Sequence, residues 1–251
     1  MQAKKTVLLI LLAFIIIVFL INLAKHHHYK KIVSRVSDRD VPNKVFIIPN
    51  FLRPTDFVRI RDIVDSVHTT QGLHRSKNIL RNGSSISHHN MGDTYYRDIL
   101  RIYRGAPILE KIHNETGIDL QFAPKTDPNR LSLLFYVQPK DGIGWHYDGN
   151  NYYGNRWAGI YTIINQGKTP YEMSSAKFNY ILDGQEHSIN TQPNSLVLFQ
   201  GDKIRHKVDP IKKGEKRIVL SSVFCDVGER TLNPISLVYQ SAVNLIFYGT
   251  L

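Results

Sequence analysis

Residues 131–148 read LSLLFYVQPKDGIGWHYD, and the fold turns on how this stretch is read. Residues 131–137 are rich in Leu, Phe, Tyr and Val, the composition of a short strand. Gln138-Pro139-Lys140-Asp141-Gly142 then supplies turn chemistry. Beyond the turn stand His146 and Asp148, two positions apart. On an extended chain such residues face the same way. An imidazole nitrogen and a carboxylate oxygen are therefore offered to one point in space.

Working towards the carboxy terminus, strand-like runs recur at 159–164 (GIYTII), 177–182 (KFNYIL), 195–199 (SLVLF) and 217–224 (RIVLSSVF), separated by Gly, Asp, Asn and Pro. Working the other way, the pattern becomes helical. A short apolar strand at 45–48 is followed by Pro54 at a first helical position, with Phe57, Ile60, Ile63, Val64 and Val67 on one face. Residues 95–103 and 107–116 read as two further helices, interrupted by Gly105 and Pro107, and Gly117 is placed as a C-cap. Residues 71–92 are polar and turn-rich, which predicts a loop; with His88 and His89 it reads equally as a lid or as an exposed connection. Residues 234–251 are apolar, and helix and strand stay open there. The whole predicts a mainly β chain with flanking helices, a sandwich or jelly-roll core with the helices on one sheet.

A third ligand for the point defined by His146 and Asp148 is His206, 58 residues beyond Asp148 and just after the strand SLVLF and the turn Gln200-Gly-Asp-Lys203. Two neutral imidazoles and one carboxylate occupy one face of an octahedron and leave the other positions open, as in non-haem Fe(II) oxygenases. Beyond His206 the sequence KVDPIKKGEKR leads into the last strand. A guanidinium there can grip a carboxylate through two parallel hydrogen bonds, and Tyr136, on the strand before the His-x-Asp turn, offers a hydroxyl to the same group.

In these motifs the chain resembles the 2-oxoglutarate/Fe(II)-dependent dioxygenases, and among them the prolyl 4-hydroxylase-like group. VFIIPNFLRPTDFVRIRDIV is similar to the strand-and-helix opening of that catalytic domain and HNETGIDL to its helix end before the barrel. LLFYVQPKDGIGWHYD resembles the cosubstrate-tyrosine and His-x-Asp stretch, and SLVLFQGDKIRHKVDPIKKGEKRIVL the distal histidine and basic strand. The resemblance covers roughly residues 45–226. It implies a double-stranded β-helix core, Fe(II) held by His146, Asp148 and His206, and 2-oxoglutarate as cosubstrate, with ascorbate as a reductant. It also implies hydroxylation coupled to decarboxylation of 2-oxoglutarate to succinate and carbon dioxide. One departure concerns the cosubstrate cation, which in the group usually lies ten positions after the distal histidine and is often lysine. That position is Lys216, with Arg217 its neighbour. Successive strand residues face opposite sides, so one of the two points inward; Arg217, with Val219, Ser221 and Val223 on its face, is favoured for its bidentate geometry, and Lys216 is the alternative.

The amino terminus carries a different signal. Residues 7–21 (VLLILLAFIIIVFLI) are uninterrupted apolar sequence, and the 19 residues of 6–24 come close to spanning a hydrocarbon core. No small-residue cleavage pattern follows, so an uncleaved single-pass anchor is favoured over a secretory signal. Residues 25–40 form a basic juxtamembrane flank and 41–251 a single domain. Of the net charge of +11, +5 lies in the first 40 residues and +6 in the remaining 211. This partition argues against a nucleic-acid partner. Lys/Arg asymmetry mildly favours a cytoplasmic domain, two sequons (Asn82, Asn114) suit a lumenal one, and the side of the membrane stays open, as does the oligomeric state. The single cysteine, Cys225, excludes an intramolecular disulfide and a thiolate zinc cluster. No Gly-x-Ser-x-Gly elbow and no phosphate-cradling glycine loop is present.

Around the His-x-Asp turn, WHYDGNNYYGNRW gathers aromatic residues. Tyr147, Asn150, Tyr152 and Trp157 are expected at a substrate rim, with packing at the barrel mouth and turn formation as the plainer readings. The expected activity is hydroxylation of a protein or peptide side chain, proline or lysine first. Two alternatives remain: the same chemistry on a lipid, nucleobase or small metabolite, and a catalytically silent jelly roll serving as a binding or structural membrane protein.

Overall fold

A computed structural model describes residues 2–37, 43–66, 73–92 and 96–248. Helix α1 (Gln2–Ser37) leads into strand β1 (Val45–Ile48), helix α2 (Pro54–Ser66), strands β2 (His74–Lys77) and β3 (Arg81–Ser87), and helices α3 (His88–Met91), α4 (Arg97–Gly105) and α5 (Ile108–Thr116). Then come β4 (Gln121–Phe122), β5 (Leu131–Tyr136), β6 (Gly142–His146), β7 (Arg156–Gln166), β8 (Phe178–Leu182), β9 (Gln185–Ile189), β10 (Ser195–Phe199), β11 (His206–Val208), β12 (Lys216–Cys225) and helix α6 (Pro234–Tyr248). Neighbours run β1-β10-β7-β12-β5-β3-β6-β11-β8-β9, with β2 on β3 and β4 on β12. Residues of β5, β7 and β12 line the same cavity as residues of β6, β8 and β11, so the sheet curls until its two halves face each other. This is the expected jelly roll.

The pleat divides the work. On β10, Leu196 and Leu198 point out into the main core, while Val197 and Phe199 point into the barrel. A strand buried on both sides reads as an unbroken apolar run, which is why SLVLF was visible in the sequence. The outward layer is completed by Ile60 and Val64 of α2, Ile99 and Tyr103 of α4, and Ile108 and Ile112 of α5. Tyr103 accepts a 2.9 Å hydrogen bond from Ser222 of β12. Gly159 is required on this face, since a Cβ there would lie 2.7 Å from the Phe224 ring.

Several expectations are corrected. The stretch 71–92 is not a loop: its described part, from residue 73, is the β2–β3 hairpin and α3. β3 is an interior strand, bonded to β5 and β6. Its inward positions include Arg81, Ser85 and Ser87, all buried and none apolar, so it lacks the apolar alternation that marks a strand. The segment read as a turn before His146 contains β6, and β9 had no separate signal. β8 and β9 are joined by Asp183-Gly184, both with left-handed φ (50° and 76°), the backbone a two-residue hairpin turn demands. The apolar carboxy-terminal stretch is a helix. The helix of residues 6–24 does not end there but continues to Ser37, so the basic flank is helical too; 38–40 lie outside the described residues, as do Val67 and Tyr95. Gly117 caps α5 with a φ of 73°, as expected.

The β5–β6 connection is pinned by a buried carboxylate. Arg75 of β2 makes a two-pronged contact with Asp141, at 2.9 and 2.6 Å. Asp141 also accepts from the backbone N–H groups of Val137 and Gln138. That fixes where β6 begins, and hence where His146 stands.

Candidate metal centre and cosubstrate pocket

His146 ends β6 and His206 begins β11, and the two are direct cross-strand partners. Asp148, two residues past His146, is held against the Gln200-Gly201 turn by its backbone N–H, which donates to Gly201 O at 2.8 Å. A Cβ on Gly201 would lie 2.1 Å from Asp148 Oδ2, so only glycine leaves room for the carboxylate. The ligand atoms of His146, Asp148 and His206 lie within 4.8 Å of one another. Asp148 Oδ1 is 3.7 Å from His146 Nε2 and 3.9 Å from His206 Nε2.

Both imidazoles are oriented from behind. His146 Nδ1 sits 2.8 Å from Gly144 O and His206 Nδ1 2.9 Å from Ile204 O. A carbonyl can only accept, so each Nδ1 carries the proton and each Nε2 presents its lone pair to the shared point. Phe199 and Phe178 pack on the His206 ring. Burial pushes the His206 pKa down to about 4, so this ligand is neutral at physiological pH. For Asp148 burial acts the other way, but the Arg156 guanidinium and the two imidazoles overcome it and hold the carboxyl well below the usual carboxylate range. Arg156 Nη1 donates to Asp148 Oδ2 at 2.7 Å, leaving Oδ1 towards the histidines. The donor set, two neutral nitrogens and one anionic oxygen on one side, fits a divalent transition metal with open positions.

Behind this group the pocket runs between the sheet halves. Arg217 has no solvent exposure and faces Tyr136 across the β12–β5 ladder. Its Nη2 donates to Thr191 Oγ1 at 3.1 Å; Nε and Nη1 are buried with no hydrogen-bond partner among the described residues. Burial pulls its pKa down to about 10, which leaves it charged. A buried guanidinium whose one hydrogen-bond partner among the described residues is a hydroxyl is costly unless an anion completes it. Lys216 faces the other way, its Nζ 2.6 Å from Asp65 Oδ1 on α2. Val219 and Ser221 share the inward face with Arg217, and Leu134, Ile160 and Val208 line the apolar walls.

The rim differs from expectation. Tyr147 lines the mouth and is exposed. Trp157 has no exposure and packs in the outer core beside Phe46, because the pleat of β7 turns it away from the barrel; it is corrected to a core residue. Tyr152 lies beneath the mouth and donates its hydroxyl to Asp127. Asn150 is taken up locally: Nδ2 donates to Gly154 O and Asp202 Oδ2, and Oδ1 accepts from Tyr152 N. Asp127, Asn129 and Asn151 reach the pocket from two loops, and Tyr239, Gln240 and Val243 from α6. Nothing in local sequence marked these; only the return of the chain brings them in. Arg156 stood within the aromatic cluster, and its role emerges from its contact with Asp148.

No family model and no curated protein matches the sequence. Solved structures do match in fold. A 2OG-Fe(II) oxygenase family oxidoreductase from Burkholderia pseudomallei superposes with a TM-score of 0.56 at 10% identity, over 82% of this chain and 93% of that one. The epimerase SnoN, solved with Fe3+, alpha ketoglutarate and nogalamycin RO, gives 0.55 at 11%, over 84% and 90%. A prolyl hydroxylase from Trichoplax adhaerens, in complex with a hypoxia inducible factor oxygen degradation domain peptide fragment, gives 0.53 at 14%, over 81% and 91%. The chain has the fold these oxygenases share.

Proposed function

We propose that the chain is a membrane-anchored, Fe(II)- and 2-oxoglutarate-dependent dioxygenase that hydroxylates a protein or peptide side chain, with proline and lysine the first acceptors to try. The observation that carries this reading is the pairing of two features in one pocket. His146, Asp148 and His206 converge at its mouth, and Arg217 waits at its floor with two unpartnered nitrogens.

His146, Asp148 and His206 would hold the iron, and Arg217 with Tyr136 the far carboxylate of 2-oxoglutarate. Together these groups would supply the oxidising chemistry, with dioxygen as the oxidant: one of its oxygen atoms ends in succinate as 2-oxoglutarate loses carbon dioxide, and the other converts an acceptor C–H to C–OH. The chain's own residues position and shield. Gly144 and Ile204 carbonyls keep both imidazoles in the ligating tautomer; Arg156 keeps Asp148 ionised and aimed; Leu134, Ile160, Val208 and Val219 keep water from the pocket. Tyr147, Asn129 and Asn151 are placed to meet the acceptor. A peptide acceptor is favoured by the Trichoplax adhaerens structural neighbour, which is bound to one. The apolar run of α1, exposed from Val7 to Ile21, is long and apolar enough to cross a bilayer, and residues 41–251 follow as the catalytic domain.

The test is succinate release from 2-oxoglutarate by the full chain with Fe(II), ascorbate and a panel of proline- and lysine-containing peptides. Arg217→Ala is expected to raise the KM for 2-oxoglutarate about 100-fold, since truncating one partner of a buried charge contact costs several kcal/mol. Lys216→Ala leaves it unchanged. A large loss at Lys216 alone overturns the cosubstrate assignment, and unchanged iron binding after His146→Ala overturns the oxygenase.

A further inference from the structure

Helix α6 is built inside out for a helix on the surface of a soluble domain. Its fifteen residues, PISLVYQSAVNLIFY, include no charged side chain. The side towards the domain is held by polar contacts: Gln240 is buried, donates to Asp127 Oδ1 and accepts from Arg230, and the Ile246 carbonyl accepts from Ser76 and meets His74. The outward side is apolar. Ile235 is 66% exposed, Val238 72%, and Leu245 and Ile246 52% each. Surface helices of soluble domains turn their apolar residues inward, and an apolar helix face turned outward marks a contact with something apolar.

Helix α1 indicates what that is. Its side chains are exposed from Val7 to Ile21; beyond that point Asn22, Leu23 and His26 are half-buried and Val33 is buried, while the other residues up to Ile32 stay exposed, so one side of the helix meets the domain. The domain therefore takes hold of α1 where the apolar run ends. His26 and Tyr29 both stack on Tyr153, with ring centroids 5.4 and 5.8 Å apart. His26 Nδ1 lies 2.9 Å from Thr231 Oγ1, three residues before α6 begins, and α6 itself touches α1. The face of the domain that carries α6 is thus flush with the end of the membrane-crossing stretch. Lys25, Lys30 and Lys31, all exposed, stand at the same level, where lipid phosphates would lie.

The same helix walls the catalytic pocket. Tyr239, Gln240 and Val243 line it, and the Tyr239 ring lies 3.4 Å from where a Cβ on Gly149 would stand, one residue from Asp148.

We propose that α6 lies in the headgroup–acyl boundary of the bilayer that α1 crosses, so that the mouth of the pocket opens at the membrane surface and receives acceptors held there. The occupant of the apolar face is phospholipid. The inference rests on the anchored-oxygenase reading and adds to it a second, monotopic membrane contact and a direction of approach.

The experiment uses the full chain in phosphatidylcholine–phosphatidylglycerol vesicles, with a nitroxide on a single introduced cysteine at Ile16, Ile235, Val238 or Tyr171. Cys225 is fully buried and stays unlabelled. Accessibility to oxygen and to a water-soluble nickel chelate is read by power saturation. Ile16 reports the anchor, and Tyr171, 98% exposed, reports water. At Ile235 and Val238 the oxygen-to-nickel ratio is expected to stand several-fold above that at Tyr171. Ratios equal to that at Tyr171, with Ile16 in lipid, overturn this inference and spare the anchor. A water-exposed Ile16 overturns the anchor and this inference with it. Spin–spin broadening at Val238 that disappears on dilution with unlabelled chain overturns it in favour of a second copy as the occupant.

Discussion

The two faces of the β10–β7–β12 sheet are made by alternate residues of the same strands, yet they follow different physics. Outward, Leu196, Leu198, Trp157, Tyr161, Ile218 and Leu220 meet α2, α4 and α5 in a closed apolar layer. Inward, the same strands carry Ala158, Ile160, Val219 and Ser221, and Arg217 with two nitrogens unsatisfied. The outer face supplies stability, and it lets the inner face keep an unpaired charge and an ionised carboxylate out of water. One residue of register separates the two roles, as Lys216 on Asp65 and Arg217 in the pocket show.

The sharpest way to break this division is Asp148→Ala. It should abolish iron binding, measured by metal content after dialysis. It should also lower stability by up to about 3–5 kcal/mol, because the buried Arg156 loses the carboxylate it is bonded to and keeps only the more distant Asp127 and Asp202; an inner-face change would then cost as much as an outer-face one. Next come Leu220→Ala and Arg217→Met, three residues apart on opposite faces. Leu220→Ala should lose about 2–5 kcal/mol in denaturant unfolding and retain 2-oxoglutarate affinity. Arg217→Met should lose the affinity while unfolding no more easily than the parent, since a buried charge without a partner has been removed. Equal stability losses in the two variants would mean that the faces are not separable.

A pH titration is gentler. In the metal-free protein, His206 and His88 both have pKa values pushed down to about 4, in each case by burial above all. The folded form therefore binds fewer protons than the unfolded form between about 4 and the ordinary histidine value near 6.5. Stability should fall as pH is lowered through that window, and Tm by calorimetry reads it. Below it, protonation of Asp148, whose pKa is depressed, adds a further loss. The smallest effect is expected of Lys216→Ala: its ion pair with Asp65 is largely in solvent, so the change in unfolding free energy should not exceed about 1 kcal/mol.

What could be read from the sequence follows the same division. Strands buried on both faces, such as 195–199 and 131–136, write themselves as apolar runs. The convergence of His146, Asp148 and His206 was legible because His-x-Asp and a distant histidine impose a chemical pattern that does not depend on packing. β3 was not legible, since its buried positions mix Arg81, Gly83, Ser85 and Ser87 with a single apolar residue, Ile86, and β11 is only three residues long. Nearness in sequence misled at the rim: Trp157 and Tyr152 adjoin the His-x-Asp turn, but the pleat of β7 and the contact with Asp127 draw them inward. The α6 wall was hidden for the opposite reason, lying far from Asp148 along the chain and touching Gly149 in space.

Helix α1 runs from its apolar stretch to the segment stacked on Tyr153 without a break. If α1 is the anchor proposed above, its apolar stretch and the segment packed on the domain belong to one unbroken helix. A helix in a bilayer thinner than its apolar length tilts to fit, and here the domain must tilt with it, pressing α6 into the lipid or lifting it away. Under that proposal, membrane thickness would set how far the mouth of the pocket stands from the surface, so that lipid composition would tune access to the pocket without any ligand or modification.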